Sequence, residues 1–131
     1  MCIFCDIAQG NIPGYTVYED DQVIAFLDVN PTSYGHTLVV PKEHCTSFLD
    51  CPKDLLGHCM NVAQDLANRL EKNLQCDGIN VSSNIHEAAG QSVEHFHIHL
   101  IPRYKDNDEV TLAFGSIGEV DLQEVRDKIN Q

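Results

Sequence analysis

One segment in the last third of the chain alternates histidines with apolar residues and reads Glu94-His95-Phe96-His97-Ile98-His99-Leu100-Ile101-Pro102-Arg103. Successive side chains of a β-strand point to opposite faces, so we expect the three histidines to share one face. Pro102 cannot donate a ladder hydrogen bond and is expected to end this strand. Three imidazoles together indicate a chemical site, because neutral imidazole serves as a nucleophile, a proton shuttle or a metal ligand. The alternative is a polar strand face whose histidines are simply exposed.

The rest of the apolar pattern predicts several short strands and one long helix. Apolar residues recur at steps of three and four over 54–74 and predict an amphipathic helix; they are Leu55, Cys59, Val62, Leu66, Leu70 and Leu74. Strands are predicted over 16–19, 23–27, 36–40, 79–84 and 96–101, and short helical segments over 2–9 and 120–129. Because most strands follow one another through short turns, we expect an antiparallel sheet and an α+β fold.

The length of 131 residues fits a single domain, which we take as 1–131, with a core over about 2–103 and a tail over 104–131. The apolar runs are too short for a membrane span. The first residues lack the basic and apolar regions of a signal peptide, so a cytoplasmic protein is expected. Disulfides are rare there, and Cys45, Cys51, Cys59 and Cys76 are therefore interpreted mostly as small core residues.

The formal net charge is −12, from 8 Lys and Arg against 20 Asp and Glu, and the first basic residue is Lys42. Nucleic acid polymers require a basic binding surface, so binding to them is not expected. The chain is a poor match to an anionic membrane surface on the same ground, so membrane binding is not expected. A small anionic ligand remains compatible with this charge, provided that local donors hold it.

The histidine segment resembles the signature of the histidine-triad (HIT) nucleotide-binding family, His-φ-His-φ-His-φ-φ with φ apolar, and residues 95–101 match it throughout. The resemblance extends from Cys2 to about Arg103. It includes residues 35–41, which are similar to the family's Gly-His-φ-Leu-Val-φ-Pro. The family fold is a five-stranded antiparallel sheet with a long helix, and two sheets join across a homodimer. We expect the stripe of the 54–74 helix and the strands after it to bury the two-fold interface.

The resemblance implies a catalytic role for the middle histidine, His97, and supporting roles for residues near it. In HIT enzymes the residue that matches His97 attacks the α-phosphorus of a nucleotide and forms a covalent nucleotidyl-histidine, which water then hydrolyses. A hydrogen-bond acceptor at the far ring nitrogen would fix the tautomer that this attack requires. His99 and His36 are the expected supporting residues, and Ser92 is expected to donate to the leaving group.

A second set of residues is expected to hold the nucleotide. Asn84, Gln91 and Ser92 offer neutral donors, which stabilise charge on transferring phosphoryl oxygens. Asp28 directly follows the 23–27 strand and suits a ribose diol, although it also fits an Asx turn. The resemblance places four apolar residues around the base, where each would equally serve as plain core: Ile3, Phe4, Phe26 and Val29.

Four residues form a possible metal set, namely Cys2, Cys5, His44 and His95. Zinc takes sulfur and nitrogen ligands in closed tetrahedral sites, whereas the C-x-x-C pair alone also fits a redox motif. The resemblance to bacterial HIT proteins and to galactose-1-phosphate uridylyltransferases implies a structural Zn²⁺ with these four ligands. A different possibility is a catalytic zinc held by His95, His97 and His99.

The sequence therefore predicts a homodimeric purine-nucleotide hydrolase or transferase that acts at the α-phosphorus. The leading activity is phosphoramidase-like, the hydrolysis of a nucleoside 5′-phosphoramidate to the monophosphate. The alternatives are cleavage of dinucleoside polyphosphates, a nucleotide-sensing interaction protein with incidental turnover, and a metal-dependent hydrolase. The chain has no Trp, which eukaryotic members of the Hint branch carry near the C-terminus, and its tail has no motif that assigns a leaving group.

Overall fold

Five strands form one antiparallel sheet in the computed structural model, which describes residues 2–106 and 109–131. They are β1 (Thr16–Glu19), β2 (Val23–Leu27), β3 (Thr37–Pro41), β4 (Gly78–Ser82) and β5 (Ile98–Arg103), in the spatial order β1-β2-β3-β5-β4. Residue 1 and residues 107–108, which fall in the predicted domain and its tail, lie outside the described residues. The predicted α+β class and five-stranded sheet are confirmed.

The long helix α2 (Lys53–Leu74) covers one face of the sheet. The predicted apolar stripe is present, and its first four members are buried against residues of the sheet such as Val23, Val39 and Leu100. The chain's own sheet thus covers most of this stripe, whereas the two-fold interface expected there and on the strands after the helix stays a prediction. None of the helices in the described residues is long and apolar enough to cross a bilayer.

The other face of the sheet carries the short helix α1 (Ile3–Ala8). Phe4 of α1 packs on Ile24, Phe26, Leu38 and Val40 in a second, smaller core. Strands β2 and β3 are thus buried on both faces, which is what their continuous apolar runs predict. Because α1 is short, part of this face stays open to form a site.

Strand β5 differs from its prediction at both ends, since it begins at Ile98 and continues through Pro102. Its pairing with β3 covers only residues 98–100. The carbonyl of Arg103 points toward β4, where it accepts the backbone N–H of Asp77. Backbone groups of successive residues in a strand point to opposite sides, so those of Pro102 point away from β4, to the side on which β3 has already ended. A missing N–H breaks no ladder bond there, and the expectation that Pro102 ends the strand is wrong.

The three histidines do not lie on one strand, because His95 and His97 precede β5. Two hydrogen bonds hold this extended segment in place of a ladder. Phe96 N–H donates to the Cys45 carbonyl at 2.7 Å, and Ser83 Oγ donates to the His97 carbonyl at 2.8 Å. The expectation of three histidines on one strand face is therefore corrected.

A hydrogen-bonded cluster outside the histidine site ties α2 to the turn between β1 and β2. The Tyr18 hydroxyl and His58 Nε2 each lie 2.6 Å from Oδ2 of Asp20. The other carboxylate oxygen of Asp20 accepts the backbone N–H groups of Gln22 and Val23, both at 2.8 Å. Partial burial raises the pKa of Asp20, but these hydrogen bonds outweigh it and hold the pKa well below its ordinary value.

The cysteines predicted as core residues, Cys45, Cys51, Cys59 and Cys76, are buried and unbridged. The tail carries a third helix, α3 (Leu122–Ile129), none of whose residues is buried. Strand β4 forms one edge of the sheet, and its Val81 is 51% exposed.

Candidate active site and metal centre

The ring of His97 is held in one orientation and one tautomer. Its Nδ1 lies 2.6 Å from the carbonyl oxygen of His95, and a carbonyl only accepts, so the proton sits on Nδ1 and the lone pair on Nε2. The edge of Phe4 packs against the ring, with the ring centroids 4.9 Å apart. Burial lowers the pKa of His97, although the hydrogen bond to His95 and the carboxylate of Asp28 oppose this shift. Neutral imidazole with a free Nε2 is the form that a nucleophile requires.

A second chain of hydrogen bonds orients His99. The backbone N–H of Thr32 donates to Nδ1 of His36 at 3.1 Å, so the proton of neutral His36 sits on Nε2. This Nε2–H donates to Nδ1 of His99 at 2.9 Å, which leaves the His99 proton on its own Nε2. Burial, together with repulsion from His97 and His36, holds the pKa of His99 at about 4. His99 is therefore a neutral donor whose ring centroid lies 4.8 Å from that of His97.

A cavity of about 320 Å³ opens beside His97 and His99. It brings together six residues expected from the sequence, which lie far apart along the chain: Ile3, Phe4, Phe26, Asp28, Val29 and Ser92. Sequence reasoning missed the other lining residues, which are Ile7, Pro13, Gly14, Leu27, Asn30, Leu38 and Val93. Only Ile7 carried a usable signal, because residues three apart on a helix share a face and it follows Phe4 at that spacing.

The two carboxylate oxygens of Asp28 have different surroundings. Its Oδ1 accepts the backbone N–H of Asn30 at 2.9 Å, which is an Asx turn. Its Oδ2 lies 3.8 Å from Nε2 of His36, on a side chain that lines the cavity. One oxygen thus fixes the loop, and the other faces the site.

The loop before the histidines places Ser92 and Gln91 differently. Ser92 is exposed and lines the cavity, whereas the amide of Gln91 is turned into the protein. Gln91 Nε2 donates to the carbonyls of Thr46 at 2.7 Å and Val93 at 3.1 Å, and its Oε1 accepts His86 N–H. Its polar groups are therefore engaged in shaping the loop.

Asn84 also lies outside the cavity lining, and its amide lies 3.4 Å from the carbonyl of Gly90. The structure therefore does not bring Gln91 and Asn84 to the cavity as donors. Sequence reasoning could not have found this, because no periodicity sets the direction of a loop side chain.

Cys2, Cys5, His44 and His95 converge on one point, as the metal prediction requires. Nδ1 of His95 lies 3.3 Å from Sγ of Cys2 and 3.4 Å from Sγ of Cys5. Nδ1 of His44 lies 3.2 Å from Nδ1 of His95 and 3.3 Å from Sγ of Cys5. All four ligand atoms fall within 4.8 Å of one another.

The hydrogen bonds around this cluster suit a cation. His95 Nε2–H donates to the Pro41 carbonyl at 2.8 Å, so Nδ1 turns a lone pair toward both thiols. An outer hydrogen bond of this kind fixes the tautomer of a metal-binding histidine. Two thiols and two imidazoles are a donor set that zinc takes in a closed tetrahedral site.

Two other metal arrangements fit less well. His95, His97 and His99 form no common ligand cluster among the described residues, so the catalytic zinc considered from the sequence finds no support in this geometry. Asp28, His36 and His99 do cluster within 4.8 Å. However, neutral His36 already accepts Thr32 N–H at Nδ1, so its Nε2 carries the proton and has no lone pair for a metal.

Comparison with known proteins agrees with this geometry. A family model described as the HIT domain matches residues 9–106. An uncharacterised HIT-like protein of Methanocaldococcus jannaschii is 47% identical over 129 residues, which cover 98% of each chain. The crystal structure of a HIT family member from Bacillus subtilis has a TM-score of 0.91 at 36% identity and covers 98% of this chain and 94% of that one. A zinc-bound histidine triad family protein from Mycobacterium smegmatis has a TM-score of 0.77 at 36% identity, over 81% and 77% of the two chains.

Proposed function

The chain belongs to the HIT family, and from that premise we propose that it is a purine-nucleotide hydrolase or transferase with His97 as its nucleophile. Members of this family bind nucleotides and are generally hydrolases or transferases. The observation that carries the proposal is the hydrogen bond from His97 Nδ1 to the His95 carbonyl, because it leaves Nε2 free beside the cavity.

The proposed reaction is the hydrolysis of a nucleoside 5′-phosphoramidate in two displacements. Nε2 of His97 forms a bond to the α-phosphorus, while the phosphorus–nitrogen bond breaks and the nitrogen keeps its electron pair and takes up a proton from solvent to leave as the amine. The hydroxyl of Ser92 donates a hydrogen bond to the leaving nitrogen, and His99 Nε2–H donates to a phosphoryl oxygen. Water then attacks the phosphorus and gives a proton to solvent, which breaks the histidine–phosphorus bond and releases the monophosphate and neutral His97.

The nucleoside is proposed to occupy the cavity between α1 and the loop after β2. Oδ2 of Asp28 accepts the ribose hydroxyls, while Oδ1 stays engaged with Asn30. Apolar residues of the lining surround the base, namely Ile3, Phe4, Phe26 and Val29. Aromatic and aliphatic walls around a few polar groups are typical of small-molecule sites. Gln91 and Asn84 have no part in this proposal, because their amides are directed elsewhere.

Zn²⁺ is the proposed metal, held by Cys2, Cys5, His44 and His95. When bound, it would supply structural cross-linking rather than a reaction step, since four protein ligands leave no open position. The relative from Mycobacterium smegmatis supports this choice by its description as zinc-bound. We also propose a cytoplasmic location, where thiols stay reduced and available to a metal.

We propose a homodimer that forms through the β4 edge rather than through the stripe of α2. An apolar depression of about 310 Å³ lies beside this edge and is lined mainly by Phe48, Met60, Val81, Ile85, Phe96 and Ile98. Phe48 and Met60 are each 45% exposed. An unpaired strand edge beside exposed apolar side chains is a surface that a second copy covers by strand pairing.

Two alternatives share the same residues. A dinucleoside polyphosphate presents the same α-phosphorus to His97 with a different leaving group, and a nucleotide sensor would use the cavity without needing Nε2. A panel of AMP and GMP conjugates, assayed with and without a chelator, separates these activities. Loss of turnover by chelation alone, in a protein that stays folded, would instead assign the metal to the chemistry.

The covalent step is tested by rapid-quench trapping with adenosine 5′-phosphoramidate labelled in the phosphate. We expect the label on His97 by peptide mapping, and a loss of about a thousandfold in rate for His97→Ala, equivalent to about 4 kcal/mol. AMP binding should survive in this variant, because Asp28 and the apolar wall remain. His86→Ala, an exposed loop histidine, is the matched control and should keep normal turnover. Normal turnover by His97→Ala would refute the proposal.

A further inference from the structure

The C-x-x-C pair is attached to the wall of the nucleotide cavity. Cys2 is the N-cap of α1, and its sulfur accepts the backbone N–H of Cys5 at 3.4 Å. The next two residues, Ile3 and Phe4, line the cavity. The sulfur of Cys2 therefore helps to fix the start of α1, and with it the position of this wall.

The same pair is also connected to the proposed nucleophile. Both sulfurs lie within 3.4 Å of Nδ1 of His95. The backbone carbonyl of His95 accepts the Nδ1–H of His97, with 2.6 Å between nitrogen and oxygen. His95 is fully buried, and its Nε2 is engaged with the Pro41 carbonyl at 2.8 Å. A change in the groups that contact Nδ1 of His95 can therefore move its backbone carbonyl, and with it the ring of His97.

The pair is accessible, unlike the other thiols of the chain. Cys2 and Cys5 are partly exposed, and an open depression of about 550 Å³ is lined by Cys2, His44, Ser92 and Glu94 among others. Cys45, Cys51, Cys59 and Cys76 are all buried. Residues three apart on a helical turn are neighbours on its surface, so Cys2 and Cys5 are close enough for a disulfide after a small adjustment.

We propose that Cys2 and Cys5 are an oxidation site, at which a peroxide forms a disulfide that expels the metal and weakens nucleotide binding. In this step the two thiolates that hold the metal give up two electrons, and a sulfur–sulfur bond forms while the ion is released. The oxygen–oxygen bond of hydrogen peroxide breaks, and the two electrons together with two protons from solvent convert the peroxide into two water molecules. Two of the four metal ligands are then lost, and His44 and His95 alone do not complete a tetrahedral site.

The consequence for the site follows from the two connections. A disulfide shortens the separation of the two sulfurs, which lie within 4.8 Å of each other, to about 2.05 Å, so the start of α1 and the side chains of Ile3 and Phe4 shift. Loss of the metal leaves Nδ1 of buried His95 without its cation. Thiol reductant together with Zn²⁺ reverses both changes.

The test uses the full chain loaded with Zn²⁺ and treated with increasing hydrogen peroxide. Metal release is followed with a chromogenic chelator, the disulfide by intact mass and peptide mapping, and AMP affinity by calorimetry. We expect one Zn²⁺ released per Cys2–Cys5 disulfide and a fall in AMP affinity of about tenfold or more, which corresponds to about 1.4 kcal/mol. Dithiothreitol with added Zn²⁺ should restore both values.

Two variants complete the design. Cys76→Ser removes a buried thiol outside the cluster and should respond to peroxide as the wild type does. Cys5→Ser cannot form the disulfide, and its AMP affinity should be low at the start and insensitive to peroxide. A disulfide between other cysteines, or metal release without any change in AMP affinity, would overturn the proposal. The affinity readout rests on the proposed function, whereas metal release and mapping do not, so absence of AMP binding by the reduced protein would count against that function alone.

Discussion

Nε2–H of His36 donates a hydrogen bond to Nδ1 of His99 at 2.9 Å, although His36 does not line the cavity. His36 is therefore a positioning residue that fixes the tautomer of His99. We expect His36→Ala to lower turnover about a hundredfold, the cost of a misplaced reacting group, while AMP affinity stays nearly unchanged. Steady-state kinetics with direct binding measurements check this split, and an equal fall in both would contradict it.

The same variant should also change the pH dependence of turnover. The charge of protonated His36 and the hydrogen bond from neutral His36 both favour neutral His99, whose pKa is held at about 4. Without His36 its two contributions are lost, whereas burial and repulsion from His97 remain, so the pKa of His99 should rise above about 4 but stay below its ordinary value of about 6.5. The acidic limb of the kcat profile, measured between these two values, should then shift to higher pH.

Gly35 precedes His36 and is required by its backbone, with φ at +93°. A Cβ at this position would also meet the side chains of Leu74 and Pro102. Gly35→Ala should lower the free energy of unfolding by about 1–3 kcal/mol or more. Gly57→Ala is the matched control, because this glycine lies inside α2 with nothing near its Cβ position, and it should gain roughly 0.5–1 kcal/mol. The free energy of unfolding of both variants is measured with urea, and equal changes in the two would contradict this account of Gly35.

Asp28→Asn tests the ribose contact proposed for Oδ2. The Asx turn should survive, because an amide oxygen can still accept Asn30 N–H, whereas the charged acceptor for the ribose diol is lost. We expect a loss in AMP affinity of about 1.5–3 kcal/mol, the usual value of a hydrogen bond to a charged group. The affinity for 2′,3′-dideoxy-AMP should be the same for both proteins, and a parallel loss would assign Asp28 to another role.

Asp20 should make the protein sensitive to acid. Its pKa in the folded state is held below the ordinary value of about 3.9, so it stabilises the fold above about pH 4 and loses this contribution as it becomes protonated at lower pH. Asp20→Asn should cost about 1.5–3 kcal/mol at neutral pH and flatten the decline in stability below pH 4. Asp21→Asn, at the exposed neighbouring residue, should leave both unchanged. Melting temperatures of the three proteins, measured from neutral to acidic pH, test this prediction, and the same decline below pH 4 in Asp20→Asn as in the wild type would contradict it.

Val81→Glu should dissociate the proposed dimer. A charge on the exposed β4 edge opposes pairing with a second copy, while the monomer loses little because Val81 is 51% exposed. Sedimentation should show about twice the chain mass for the wild type and the chain mass for the variant. Tyr15→Glu places the same charge beside the opposite edge of the sheet and should remain dimeric. A wild type that is monomeric at micromolar concentration would remove the dimer from the proposal.

Helices and strands could be predicted from the spacing of apolar residues wherever that spacing alone determines the structure. The bounds of β1 and β2, and nearly those of α2, could be read from their apolar spacing. The ends of β5 could not, because they depend on how far β3 extends beside it. Pro102 illustrates the difference, since only its neighbour strand determines whether its missing N–H matters.

The composition of the site was predicted better than the direction of its side chains. The convergence of Cys2 with His95, 93 positions later, followed from a resemblance to a family pattern and is present in the structure, whereas the roles proposed for His97 and Asp28 stay predictions. Gln91 has the residue type expected of a phosphate donor, but Thr46 and Val93 take its amide. The pairing of His58 with Asp20 across 38 positions carried no signal in the sequence.

The separation of 93 positions between Cys2 and His95 also has a consequence in time. At translation rates of about 5–20 residues per second, the two thiols precede their histidine partner by roughly 5–20 s. The C-x-x-C pair lacks its His95 partner during that interval. Capture of the proposed Zn²⁺ by all four ligands is therefore expected late in cotranslational folding, after the hairpin of β1 and β2 has had time to form. A nascent chain stalled before residue 95 should retain two freely reactive thiols near its start.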